Sequence, residues 1–514
     1  MSSSVVTPEQ SPQDETPRTK KACDLCRNRK VKCRVLESQV DCEGCRELGL
    51  SCTRDKPRRR RGPLNRHALA QLHAASSNDQ VCTPTPSLSP LPVPQPQTPV
   101  TVRETATDKS KATGRSVNAT LELLGPLPLI QRVLSDWFKF VHPLAPVLHR
   151  QHLLHRMHTY GEDVDPVFAA LIISVCSVTV STLRRKSFEQ YPAITVERCI
   201  GIIEDENLLQ PQPYTLDWCI TWYNIASALL VDHGPEDFRV YRGIKEAMAS
   251  VTYLLCFKGG EGHSEQDKEM LKRLYWFLFM WQVGAELRGQ PHLTFLPFNQ
   301  DLEHLRPKPI LDRDLYPSSA PEDYAPSWPE DEIPFIPGLN SLIDIFLIWE
   351  KGKVDIATKP PEEVLTRAME RIQTALDGLR PELRWRGGLT RFPRGAWGHE
   401  VQMVNILITA LSIKSNFLQH LGSLLPGITH QDIVSDVLEI LNHLPQPVFE
   451  TNGCAAVHKI RDIGSAYLTE LRIGSGVVVG DNQAQEKVYQ LLNKLDSLDF
   501  RPHAESVEVC ATDT

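Results

Sequence analysis

Six cysteines follow one spacing twice: C-x2-C-x6-C at Cys23, Cys26 and Cys33, then again at Cys42, Cys45 and Cys52, nineteen residues further on. The segment holds too few apolar residues to form a core, so something other than hydrophobic burial must organise it. The chain opens MSSSVVTPEQSPQDETPRTK, which has no apolar signal stretch, and regular short Cys spacings outside an export context favour metal over disulfides. Each half offers three thiolates, one fewer than a zinc tetrahedron needs. Two zinc ions require eight metal–sulfur bonds, and six sulfurs make eight only if two of them bridge both metals. The spacing therefore predicts a binuclear zinc cluster on all six cysteines, with metal binding supplying most of the folding free energy. An iron–sulfur centre or two separate zinc knuckles would need four ligands per centre.

Charge points the same segment at a polyanion. Residues 18–66 carry sixteen Lys or Arg against six Asp or Glu, so a chain of formal charge -7 leaves -17 on everything else. A small basic module on an acidic body is the pattern of a chain that meets a polyanion through one part only. The two cysteine repeats also differ. Arg27, Arg29, Lys30 and Lys32 lie between Cys26 and Cys33, whereas Arg46 and Glu47 are the only charges between Cys45 and Cys52. The first half should face the phosphates. At about 100° per residue on a short helix, Arg27 shares a face with Lys30, and Arg29 with Lys32; this geometry leaves open which face enters a groove. A second basic run, Lys56, Arg58, Arg59, Arg60 and Arg61, reads as a nuclear localisation signal, a phosphate-tracking arm, or both.

Residues 76–116 turn to proline, serine and threonine, with seven prolines between Val81 and Val100; this composition cannot bury a core and is expected to be an extended tether. Beyond Asn118, apolar residues recur at spacings of three and four in LIQRVLSDWFKF, GIKEAMASVTYLL, KEMLKRLYWFLFMW, VQMVNILITALSIKSNFLQHL and DIVSDVLEILNHL. Strand signals are sparse, and the expected class is mainly all-α. The longest apolar run, VFAALIISVCSVTV, falls short of the roughly 20 residues of a bilayer span and is expected to be a buried helix, with no membrane partner. Cysteines outside the module, such as Cys176, Cys199 and Cys219, sit in apolar surroundings and read as small hydrophobes.

No enzyme is expected. The chain has no H-E-x-x-H, no G-x-S-x-G and no phosphate-binding loop. His149, His152, His155 and His158 recur every three residues, but a straight helix turns each by about 300°, so they drift off one face, and no carboxylate lies among them. The stretch LDRDLYPSSAPEDYAPSWPEDEIPFI mixes acids with aromatics, as an activation segment does, and reads equally as a surface loop between helices.

The segment ACDLCRNRKVKC…CEGCRELGLSC resembles the fungal zinc binuclear cluster transcription factors. That resemblance implies a zinc cofactor of two ions per chain, bridging by Cys23 and Cys42, base reading of a C-G-G-like triplet by Arg29 and Lys30, and backbone contacts by Arg27 and Lys32. One departure is Val40, where the family commonly has proline two residues ahead of the fourth cysteine. LSDWFKFVHPLAPVLHRQHLLHRM resembles the opening of the family's regulatory domain, through Trp137, Phe138, His142, Pro143, Pro146 and His149, and residues 272–291 resemble it more weakly. The resulting organisation is a disordered N-terminus at 1–17, the zinc module with its basic arm at 18–62, a linker at 63–117, a helical regulatory domain at 118–500 and a tail at 501–514. The expected function is that of a nuclear, sequence-specific DNA-binding regulator of RNA polymerase II transcription, or alternatively of an adapter using the module as a rigid basic knob. Its expected partners are double-stranded DNA and the transcription machinery or co-regulators. A homodimer and a small-molecule effector stay open, and the apolar spacing at residues 64–75 is too short for a pairing coiled coil.

Overall fold

The computed structural model describes residues 22–24, 26, 33, 41–47, 51–53, 114–290, 302–315, 333–387, 397–422, 428–474 and 482–498. The chain divides into two compact units, residues 1–105 and 106–514. Helix is the only regular secondary structure among the described residues. In the first unit, Asp24 and Cys26 are helical, and a short helix, α1 (Glu43–Glu47), follows Cys42.

The second unit is built from sixteen α-helices among its described residues. Its first group comprises α2 (Val117–Leu121), α3 (Leu127–Asp136), α4 (Arg150–Tyr160), α5 (Pro166–Thr182), α6 (Arg184–Gln190), α7 (Val196–Asp205), α8 (Leu216–His233) and α9 (Phe238–Val251). The long α10 (Glu265–Leu287) and the short α11 (Asp312–Leu315) lead to a second group. That group holds α12 (Ile336–Ile356), α13 (Pro361–Asp377), α14 (Trp397–Leu421), α15 (His430–His443), α16 (Gln446–Gly474) and α17 (Asn482–Leu498). All five segments singled out by apolar spacing are helical.

Helix starts follow local chemistry. Asp165, Thr195, Thr215 and Ser264 each accept a backbone N–H from the first turn of the helix they precede, satisfying donors that have no partner within the helix. Thr429 and Asp432 form a reciprocal capping box at α15. Prolines open α5, α12 and α13, where a missing N–H costs nothing.

α5 carries the long apolar run and is buried from Val167 through Ser181. It packs against α7 and α8, and α8 packs in turn on α9. In the second group α14 is the central helix, packed on α12 and α16. It is long and apolar enough to cross a membrane, yet 89% of its apolar window is buried among its neighbours, as in a core helix. α10 contacts α8, α9 and α12, and α16 reaches α5, so both groups share one core. The α12–α14 approach depends on Gly352, where an added Cβ would lie 2.4 Å from the Phe417 ring.

Two features lie beyond simple periodicity. The backbone widens into π-helical turns at Trp137–Val141 and Thr252–Phe257, the first letting adjacent Trp137 and Phe138 both turn inward, edge to face at 4.8 Å. α16 breaks at Gly453, whose φ of 57° and ψ of -148° belong to a region open essentially to glycine alone.

Candidate metal centre

The first unit is organised around sulfur. Cys23, Cys26, Cys42 and Cys45 are buried together, and Cys33 and Cys52 pack against them. The Sγ atoms of the four buried residues all lie within 4.8 Å of one another. Cys23 is 3.7 Å from Cys42 and 3.6 Å from Cys45, and Cys26 is 3.6 Å from Cys42. A zinc tetrahedron with bonds of about 2.3 Å has sulfur–sulfur edges of about 3.8 Å, so these separations fit zinc and exclude a disulfide, whose sulfurs lie about 2 Å apart.

The backbone repeats with the sequence. Cys23 N–H donates to Cys33 Sγ at 3.4 Å, and nineteen residues later Cys42 N–H donates to Cys52 Sγ at 3.5 Å. α1 begins immediately after Cys42 and places Cys45 one turn on, with its N–H donating to the Cys42 carbonyl at 3.1 Å. The ends of the module close on each other: Asp24 N–H donates to the Thr53 carbonyl at 2.8 Å, and the Thr53 hydroxyl donates to the Asp24 carboxylate at 3.4 Å.

Electrostatics separate two sulfurs from the other four. At Cys23, burial raises the thiol pKa, but hydrogen bonds from Cys26 N–H and from the Cys26, Cys45 and Cys42 thiols outweigh it and bring it down to about 6. Cys42 is likewise lowered, its burial being outweighed by donation from Cys45 and Cys26. Cys26 is pushed up to about 12 by burial and by its bonds to Cys23 and Cys42. Cys45 is raised by burial first and then by its bonds to Cys42 and Cys23. Cys33 and Cys52 are also raised, Cys33 chiefly by burial, and both interact with Cys23 and Cys42. The two sulfurs that every other thiol leans on are thus Cys23 and Cys42. The donor set suits two divalent cations, which would favour deprotonation of the remaining thiols.

Arg27, Arg29, Lys30 and Lys32, as well as Lys56 and Arg58 to Arg61, lie outside the described residues. Residues 63–113 of the linker, the N-terminal residues 1–17, the tail and residues 316–332 of the acidic-aromatic stretch also lie outside them; the last linker residues, 114–117, are described, and Val117 already belongs to α2.

In the second unit the structure assembles a polar cluster that no motif indicated. Arg273 on α10 is fully buried; one of its terminal nitrogens lies 2.7 Å from Asp312 and donates to the Pro146 carbonyl at 3.0 Å. His142 Nε2 lies 3.1 Å from the other Asp312 oxygen. Burial raises the Asp312 carboxyl, but the Arg273 charge, followed by the His142 bond, holds it well below the usual carboxylate range. Glu269, 3.7 Å from Arg273, accepts the Lys308 N–H at 2.7 Å. The cluster thus pins the His142–Pro146 turn and the Asp312 segment onto α10. His142 and Pro146 belong to the segment that resembles the opening of the regulatory domain, but nothing in the sequence paired them with Arg273 or Asp312.

Of the four regularly spaced histidines, His149 is buried and caps α4, its Nδ1 accepting the His152 N–H at 3.2 Å while its Nε2 lies 3.0 Å from the Asp312 carbonyl. Burial lowers its pKa to about 4, against the pull of Asp312. Cys176, Cys199 and Cys219 are buried as small hydrophobes, whereas Cys256 is exposed.

No curated protein and no solved structure matched the chain. Residues 21–61 match the family model described as the fungal Zn(2)-Cys(6) binuclear cluster domain. This segment contains all six cysteines, including the four sulfurs drawn together at tetrahedral distances. The chain therefore carries a fungal Zn(2)-Cys(6) binuclear cluster domain, the two-zinc DNA-binding module of fungal transcription factors.

Proposed function

We propose that the chain is a nuclear, sequence-specific regulator of RNA polymerase II transcription that reads C-G-G-like triplets in the major groove, serving one pathway such as nutrient use or a secondary-metabolite gene cluster. The observation that carries this reading is the cross-half sulfur contact: Cys42 meets Cys26, and Cys23 meets Cys45, at 3.6 Å. Two zinc ions would be held by all six cysteines, with Cys23 and Cys42 as the shared ligands, Cys26 and Cys33 as the further ligands of one ion, and Cys45 and Cys52 of the other.

The rigid scaffold holds the basic segment of the first repeat. Arg29 and Lys30 donate to guanine O6 and N7, while Arg27 and Lys32 bind phosphates. Lys56 and Arg58 to Arg61 extend the cationic surface and supply the nuclear address. Residues 118–500 form the regulatory body that receives co-regulators.

A salt titration tests the reading. The full chain is bound to a C-G-G duplex and to a scrambled duplex of equal length. Retained preference for C-G-G at high salt supports it, and parallel loss on both duplexes favours a non-selective adapter instead.

A further inference from the structure

We infer that Asp24 and Thr53 are positioning residues for DNA binding: their clasp fixes where the cationic arm leaves the zinc module, so that the two basic runs meet one duplex as a single surface. The inference rests on the DNA-binding reading of the module.

Cys23 sits at the start of a helical turn, its Sγ accepting the Cys26 N–H at 3.4 Å, and Asp24 takes the first helical position. An N–H at that position has no partner within its own helix. That of Asp24 donates instead to the Thr53 carbonyl at 2.8 Å. The Asp24 side chain is buried, and its Oδ2 accepts the Thr53 hydroxyl at 3.4 Å. Thr53 itself is exposed, so these two bonds rather than burial hold it in place. They join the residue after the first cysteine to the residue after the sixth.

What adjoins the clasp gives it a role. Residues 54–61, RDKPRRRR, carry six cations and one acid and begin directly after Thr53. The other basic run, Arg27 to Lys32, begins three residues after Asp24. The chain therefore enters the arm within hydrogen-bond distance of the turn that leads into the first run. Cationic runs released from one point add their phosphate contacts on the same stretch of duplex, each contact contributing about 0.9 to the salt slope. An acid at a helix start also stabilises that helix by itself, but such a role does not involve the arm. On charge alone, Asp24 opposes DNA, so its removal has opposite expected signs under the two accounts.

The test uses full-length zinc-loaded protein on C-G-G and scrambled duplexes across a salt series. Asp24→Pro removes both the N–H and the carboxylate, while proline at the first helical position keeps the turn. It should weaken binding to both duplexes about tenfold and lower the salt slope. Combined with alanine at Arg58, Arg59, Arg60 and Arg61, the same substitution should cost less than about twofold further. Thr53→Val, which keeps shape and charge, should move affinity and slope in the same direction by a smaller factor, and Thr53→Ser should restore both. Native mass spectrometry follows the zinc, and if Asp24→Pro holds fewer than two ions the Thr53 variants decide. Unchanged or tighter binding in Asp24→Pro, equal losses with and without the arm arginines, or parent behaviour in Thr53→Val would overturn the assignment. A parent chain with no preference for C-G-G defeats the sequence-specific reading instead, and the clasp is then read on either duplex.

Discussion

The Sγ atoms of Cys23 and Cys42 lie 3.7 Å apart across nineteen residues of chain, and each also touches a thiol of the other repeat. The two cysteines thus share one edge of both sulfur sets, which makes them unequal to the other four and gives the module a mutational signature.

Native mass spectrometry of the full chain should show two zinc ions. Cys42→Ser removes a shared ligand and should lower occupancy of both sites. Cys52→Ser removes an outer ligand and should leave one ion bound. One zinc in the parent protein, or equal losses in the two variants, would contradict the bridging assignment. Chelation of the metal should unfold the module and abolish DNA binding while leaving the helical body's circular dichroism intact.

Lys30→Ala should weaken binding to a C-G-G duplex by about 1–3 kcal/mol and relax discrimination against a scrambled duplex. Lys32→Ala should weaken both duplexes alike and reduce the salt slope by about one unit. Fluorescence anisotropy across a salt series separates the two outcomes, and parallel losses on both duplexes for both variants would reverse the roles.

Replacing Arg58, Arg59, Arg60 and Arg61 together by alanine should leave zinc stoichiometry unchanged and lower non-specific DNA affinity. Imaging the tagged variant at native expression should show it shifted toward the cytoplasm. Undiminished nuclear enrichment with weakened DNA binding would restrict the run to phosphate tracking.

Arg273 compensates Asp312 in a buried setting, so Arg273→Met, which keeps the length and drops the charge, strands a carboxylate. The expected cost is about 3–5 kcal/mol, read as the shift in urea midpoint of the helical body. Arg273→Met combined with Asp312→Asn should recover much of that loss; a double variant no more stable than the single one would show that the pair is not the source.

His149 gives the body an acid-sensitive step. Its folded pKa, about 4, lies below the ordinary histidine value near 6.5, so the unfolded chain binds the extra proton first. Its contribution is present above about pH 6.5 and declines as pH falls toward 4, by at most about 3 kcal/mol. His149→Asn retains a capping side chain and removes the titration. The variant's stability should fall less than the parent's between pH 6.5 and 4 in urea titrations, and matching pH profiles would refute the step.

The cysteine spacing determined the metal count, the need for two bridges and the nineteen-residue repeat, because ligand number and short-range chain geometry are local properties. Apolar spacing likewise indicated the helices, and the run that became α5 was legible as buried because it presents no polar face. Contacts between segments far apart in sequence were settled by packing alone. Arg273 meets Asp312 and Pro146 only after three separate stretches come together, and His149 became a buried cap because the Asp312 carbonyl was folded onto its ring. The π turn at Trp137–Val141 and the break at Gly453 have no periodic signature, since each departs from helical geometry at a single place. Local chemistry writes ligand sets and helix faces into a sequence; long-range burial determines which charges must find one another, and that depends on the whole packed core.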